Sequence, residues 1–172
     1  MIKLLGSIMV LLASAGIGIL AGEKKKERRN QLKELLLHMK VLYGEIEYGR
    51  TALPEVLEIV ASRNQGDMTC FFQKVSEELN KMLGDSFYTV WCRCMESELA
   101  TTSLQKKDRL LLKGLGENLG FLDQKMQLTT ITHCIMGLET AITEADQEVK
   151  EKVKLYNMLG VLGGIFITIV MF

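Results

Sequence analysis

Two charge-free apolar segments, Leu4 to Gly22 and Met158 to Phe172, stand at opposite ends of this chain. They constrain its fold more than any other feature does. A helix needs about 20 apolar residues to cross the ~30 Å hydrocarbon core of a bilayer. The first segment reaches that length, and the second approaches it when Leu155 and Tyr156 are added. Each is expected to be a transmembrane helix, which divides the chain into a first span over 1–22, a helical domain over 23–157 and a second span over 158–172.

Orientation follows from where the positive charge lies. Lys24, Lys25, Lys26, Arg28 and Arg29 follow the first span, and Lys150, Lys152 and Lys154 precede the second. Lys3 is the only basic residue on an outer flank. Basic residues close to a span stay on the cytoplasmic side, so the central domain is expected in the cytoplasm and both termini outside it. The cluster from Lys24 to Arg29 is also the candidate lipid-facing patch, because a basic residue beside anionic headgroups contributes about 1 kcal/mol. A secretory leader carries its charge before the apolar run rather than after it, so cleavage is not expected.

Lys plus Arg total 21 and Asp plus Glu total 21, so no global positive field is available to grip a phosphate backbone, and nucleic acid is not an expected partner. Cys70, Cys92, Cys94 and His133 beside Cys134 raise the question of a metal. Cys92 and Cys94 are two apart in a helical pattern and diverge by about 200°, as do adjacent His133 and Cys134 by about 100°, so neither pair can chelate one ion. Free, buried cysteines are expected, with no metal and no cofactor.

The single proline is Pro54, and no segment alternates as a half-buried strand does. The fold class is therefore all-α, a bundle of about six helices. Leu32, Leu35, Leu36, Met39, Leu42 and Ile46 form one apolar stripe that stops at Gly49. Pro54 suits the first turn of the next helix, which buries Val56, Leu57 and Val60. A third helix from Met68 closes near Gly84 and Asp85, and a fourth holds Phe87, Val90, Trp91 and Cys94. Thr101 to Ser103 is a capping-type stretch before a fifth helix with Leu104, Leu111, Leu115, Leu119 and Leu122. The last helix carries a heptad-like seam of Leu128, Ile131, Ile135, Leu138, Ile142, Ala145 and Val149. It either continues into the second span, as one helix from Gln124, or breaks near Asn157.

Gly114, Gly116 and Gly120 have neither the spacing of a phosphate loop nor a preceding strand. Gly116 and Gly120 read instead as points of close helix approach or a turn. In the spans, Ser14, Gly18 and Gly22, and Gly160 and Gly164, repeat every four positions and suit helix packing in lipid. Neither span holds an ionisable residue, so transport by this chain alone is not expected. Glu45 and Glu47, two apart on a helix, do not face each other as an acid–base pair. His38 has no triad-like companions. No catalytic residue is assigned, and Glu45, Glu47, Tyr48, Arg50 and Glu55, around the first helix break, are taken as a partner-binding rim.

Four strings now taken together resemble the stage III sporulation protein AB family of endospore-forming bacteria. They are Leu42-Tyr43-Gly44-Glu45-Ile46-Glu47-Tyr48-Gly49, Thr51-Ala52-Leu53-Pro54-Glu55, Gly116-Glu117-Asn118-Leu119-Gly120-Phe121-Leu122-Asp123 and Leu159-Gly160-Val161-Leu162-Gly163-Gly164-Ile165-Phe166. Ala52 departs from the pattern, since the family usually has a second proline there. The resemblance implies a cytoplasmic helical bundle similar to the inner-membrane platform protein F of type II secretion and type IV pilus machines. It further implies a place in the mother-cell membrane, in a channel complex joining mother cell and forespore. The implied partners are membrane lipids, the stage III sporulation AA-type ATPase and other membrane proteins of the same operon, and the implied role is that of a non-enzymatic scaffold. The alternative reading of the residues is a membrane-anchored adaptor or signalling module that forms a homo-oligomer through the Leu128 to Val149 seam.

Overall fold

The computed structural model of the chain describes the backbone at every position except 1, 50, 64–65, 82–83, 121–122 and 172, and side chains over 23–152 and at 155 outside those positions. Among the described residues all regular structure is helical. The elements are α1 (Ile2–Tyr48), α2 (Leu53–Arg63), α3 (Thr69–Asn80), α4 (Phe87–Glu98), α5 (Lys106–Leu119) and α6 (Gln124–Met171).

The 47 residues of α1 and the 48 of α6 make two rods of about 70 Å each at ~1.5 Å per residue. They run antiparallel: the Gln124 amide donates to the Ile46 carbonyl at one end of the bundle, and Lys25 meets Glu148 at 2.7 Å near the other. Their packing is the most extensive in the molecule, and the remaining contacts join chain neighbours in turn, so the helices close into a ring in which α6 returns against α1 and α5. Helix α6 does not break near Asn157. Both rods start or finish at the same end of the ring, which places the two chain termini beyond Lys25 and Glu148.

The apolar stripe on α1 is buried as its spacing predicts, with Leu32, Leu35, Met39 and Leu42 fully covered. Gly49 ends it by donating its N–H to the Glu45 carbonyl at 2.9 Å. A Cβ there would sit 2.2 Å from the same oxygen, so only glycine fits this turn. On α6 the buried seam is Ile131, Cys134, Leu138, Ala141 and Ala145, while Leu128, Ile135 and Ile142 are only partly covered. This seam packs inside the chain, against α1 and α5. Ile131, Leu138 and Ala145, on which the alternative dimerising reading of Leu128 to Val149 relied, are thus covered within the monomer.

At the centre, Phe71 and Phe72 from α3 meet Trp91 from α4 edge-on, with the Phe71 and Trp91 rings 4.8 Å apart. The Trp91 indole N–H donates to the Leu112 carbonyl of α5 at 2.9 Å, satisfying the one polar atom of a fully buried ring. Gly116 allows this contact, because a Cβ there would fall 2.3 Å from the Trp91 ring, and Gly120 faces Phe87 in the same way at 2.8 Å. Both glycines are thus points of close approach, as expected. Gly137 is a third, set against Leu111 at 2.8 Å, where the sequence suggests only a tolerated loss of helix propensity.

Three local expectations are corrected. Helix α3 ends at Asn80 with Lys81 as its cap, and Gly84 lies beyond, with φ of 81°. Helix α5 is capped by Gln105 rather than by Thr101 to Ser103: its backbone N–H donates to the Asp108 carboxylate at 2.8 Å in a capping box. The inward face of α5 uses Leu112 instead of Leu111, together with Leu115 and Leu119. Leu122 lies outside the described residues.

Among the described residues no helix is long and apolar enough to cross a membrane. The expected spans over 1–22 and 158–172, with Gly18, Gly22, Gly160 and Gly164, lie outside the described side chains.

Candidate functional site

Two ends of the bundle carry the residues picked out above. At the end where the termini leave, α1 presents five basic residues within one and a half turns, and the structure divides them. Arg28 is 2% exposed and Asp108 0%. The Arg28 guanidinium donates from Nε and Nη2 to the two Asp108 oxygens at 2.7 and 2.8 Å, a bidentate pair between α1 and the first turn of α5. Asp108 thus caps its own helix and neutralises a buried arginine at once. Its hydrogen bonds raise the Arg28 pKa above the ordinary arginine value against the opposing effect of burial. The remaining nitrogen, Nη1, makes no hydrogen bond and lies 3.7 Å from Glu148 of α6. Glu148 also accepts from Lys25 at 2.7 Å, and this bond is the main reason its carboxyl titrates below the usual range.

The same pattern continues along the rods. Arg29 and Lys33 both approach Asp146, at 3.7 and 3.8 Å, and Lys40 approaches Glu139 at 3.9 Å. Base on α1 faces acid on α6 throughout. The lipid-facing assignment of Lys24, Lys25, Lys26, Arg28 and Arg29 is accordingly corrected for Arg28, which points into the core. Lys25 and Arg29 are engaged with α6, while Lys24 and Lys26 are exposed and have no ion pair among the described residues.

At the opposite end, α1 stops, α2 starts and α6 starts. These three termini and the end of α5 border a cleft of about 310 Å³ whose walls include Ile46, Leu53, Val56, Gly120, Gln124 and Gln127. Around it stand the residues of the expected rim. Tyr48 is 86% exposed. Glu47 and Glu55 are exposed as well, and the hydrogen bond and charge of Glu47 raise the Tyr48 phenol above its ordinary pKa. Glu45 belongs less to the rim than to the scaffold, because it is half-buried and ion-paired to Arg63 of α2 at 2.8 Å. Arg50 lies outside the described residues.

His38, Cys94 and Cys134 are placed for packing. His38 is fully buried and stacks on Phe72 at 4.7 Å. Its Nδ1 lies 2.8 Å from the Glu34 carbonyl, Nε2 has no partner, and desolvation lowers its pKa. Cys94 and Cys134 are buried, and burial pushes the Cys134 thiol up to about 12. Cys70 departs from expectation in being exposed, and Cys92 is half-covered. Among the described residues no three His, Cys, Asp or Glu side chains are grouped to hold a metal ion.

Sequence reasoning missed Asp108 and Glu34. Glu34 accepts the Met68 N–H at 2.7 Å and so caps α3 from another helix. A Cβ at Gly66 would meet its carboxylate at 2.4 Å. The signal available for Asp108 was its position three residues after Gln105, at the start of an amphipathic helix.

Comparison with known proteins bears on the family and the fold. The family model described as stage III sporulation protein AB matches residues 3–172. Stage III sporulation protein AB of Bacillus subtilis (strain 168) is 29% identical over 171 residues, covering 99% of each chain. A solved structure of a stage III sporulation protein AB matches with a TM-score of 0.67 at 30% identity, over 72% of this chain and 97% of that one. A family model that spans nearly the whole chain, a relative that does the same and a shared helical fold lead to one conclusion: the chain belongs to the stage III sporulation protein AB family.

Proposed function

We propose that this protein is a non-enzymatic membrane platform of a sporulation channel complex, fixed in the mother-cell membrane by its two end segments and docking a cytosolic ATPase on its far end. The observation that carries the reading is the antiparallel pairing of α1 and α6. It sends both apolar end segments out on the side of Lys25 and Glu148 and leaves Glu47, Tyr48 and Glu55 on the side away from them, beside the cleft lined by Ile46 and Leu53. A rod pinned at one end and furnished with an exposed aromatic and carboxylates at the other has the shape of a connector. The interlocked charges of α1 and α6 support that role, because a stiff helix pair can transmit a displacement from one end to the other.

The partner in this reading is the AA-type ATPase of stage III sporulation, with other membrane proteins of the same operon around the spans. To test it, the full chain is reconstituted in lipid nanodiscs and its binding to the purified ATPase measured by interferometry. Saturable binding that weakens about tenfold in Tyr48→Ala/Glu55→Lys is the expected result. No binding, or binding indifferent to those substitutions, refutes the docking.

A further inference from the structure

We propose that the lateral cleft between α4 and α5 is a second docking site, built for a short acidic segment of a partner protein in which an apolar side chain is flanked by carboxylates. The cleft, of about 260 Å³, is lined by Met95, Leu104, Lys106, Arg109, Leu110 and Lys113. Its floor is apolar and each of its charged lining residues is basic. Leu110, 56% exposed, is one of the few large apolar side chains that α5 leaves to solvent.

The positive charge here is only partly balanced within the chain, Glu117 lying near Lys113 alone. Lys106, Lys107 and Arg109 crowd the beginning of α5, where the helix dipole already favours negative charge. The acid present there, Asp108, is committed to Arg28. Lys107 turns away to Glu144 of α6. Lys106 and Arg109 have no ion pair among the described residues, and Arg109 Nε is buried without a hydrogen-bond partner while its Nη2 finds only the Ala100 carbonyl at 3.5 Å. Lys113, on the same face two turns further along, lies against Tyr88. A net positive field over an apolar floor is complementary to a ligand that carries both features. A free phosphate would leave Leu110 and the half-covered Met95 uncovered, and a wholly apolar peptide would strip water from the three cations.

The placement also selects a peptide over a membrane surface. From Lys106 to Lys113 the cleft climbs about 10 Å along the axis of α5, which runs beside α1 from Arg28 toward Ile46 and so away from the membrane that the end segments would cross. Headgroups and acyl chains meet only one end of such a cleft, whereas an extended or helical peptide covers its length. The site is separate from the cleft beside Tyr48 and does not depend on how the ATPase docks.

The test uses the full chain in neutral phosphatidylcholine nanodiscs and a fluorescent peptide of alternating Glu and Leu pairs, with a Lys and Leu peptide as control, followed by anisotropy. Saturable binding of the acidic peptide is expected, weakened at least tenfold by Lys106→Glu/Lys113→Glu and by Leu110→Ser, and unchanged by Tyr48→Ala. Lys106→Gln/Lys113→Gln, which removes charge without reversing it, gives an intermediate loss if the field is responsible, and thermal melts show that each variant is folded. Absence of saturable binding, equal binding of both peptides or indifference to the cleft substitutions overturns the proposal. So does a charge-reversed variant that loses affinity for phosphatidylserine vesicles while binding the acidic peptide as before, which would make the cleft a membrane contact.

Discussion

Arg28 and Asp108, 80 residues apart in sequence, meet in a buried bidentate pair that ties α1 to the first turn of α5. Removing one partner strands a buried charge, which costs about 3–5 kcal/mol. Arg28→Met and Asp108→Leu are each expected to lower stability by that order, and the pair together to recover most of it, since an apolar replacement of a whole buried ion pair is often neutral. Chemical denaturation of the four forms, read as a double-mutant cycle, measures the coupling.

Gly116→Ala places a methyl group 2.3 Å from the Trp91 ring, which is itself fixed by its bond to Leu112. Overpacking of this kind costs about 1–3 kcal/mol. The variant is expected to melt earlier and to show altered tryptophan fluorescence, whereas Gly114→Ala, with open space around its Cβ position, leaves the fluorescence unchanged and raises the melting temperature slightly, because alanine favours a helix interior over glycine by about 1 kcal/mol.

His38 has a pKa below its ordinary value of 6.5 in the folded chain, chiefly because burial disfavours its charged form. The unfolded chain therefore binds a proton first as pH falls. The stability that His38 contributes is full above the unfolded pKa of about 6.5 and is lost as pH falls from there to the lower folded pKa, at about 1.4 kcal/mol for each pH unit between the two. Melting curves between pH 5 and 7.5 should show this loss, and His38→Leu should flatten that limb of the profile.

The thiols differ in access rather than in number. In the native protein Cys70 is expected to react with a maleimide promptly and Cys134 only on unfolding, because Cys70 is exposed while Cys134 is buried with its pKa pushed up to about 12. Mass spectrometry of timed alkylation distinguishes them.

What was legible in the chain beforehand was periodicity. The stripe from Leu32 to Ile46, the first turn of α2 around Pro54 and the use of Gly116 and Gly120 all depend on spacing within one helix, which local sequence records, whereas the sequence left open whether α6 continues past Asn157. What was illegible depends on partners far along the chain. Nothing around Asp108 shows that an arginine on α1 will reach it, so the sequence assigns this acid no role and Arg28 reads as part of a lipid-facing cluster. The cap on α3 comes from Glu34 for the same reason, and Ala141 joins the buried seam because α1 packs closely on α6. The rim around Tyr48 was legible as a position but not as a surface: Glu45 is held by Arg63, and the cleft walls come from α2, α5 and α6 as well as from α1.

The central claim is that the end of the bundle away from the chain termini receives the ATPase. Site-specific photocrosslinking in sporulating cells tests it directly, with a photoreactive residue placed in turn at Tyr48, Glu55 and, as a control on the opposite end, Lys24. Adducts to the AA-type ATPase from Tyr48 and Glu55 but not from Lys24 are the predicted result. ATPase adducts from Lys24 alone, or from none of the three while the protein remains in its complex, would contradict the account.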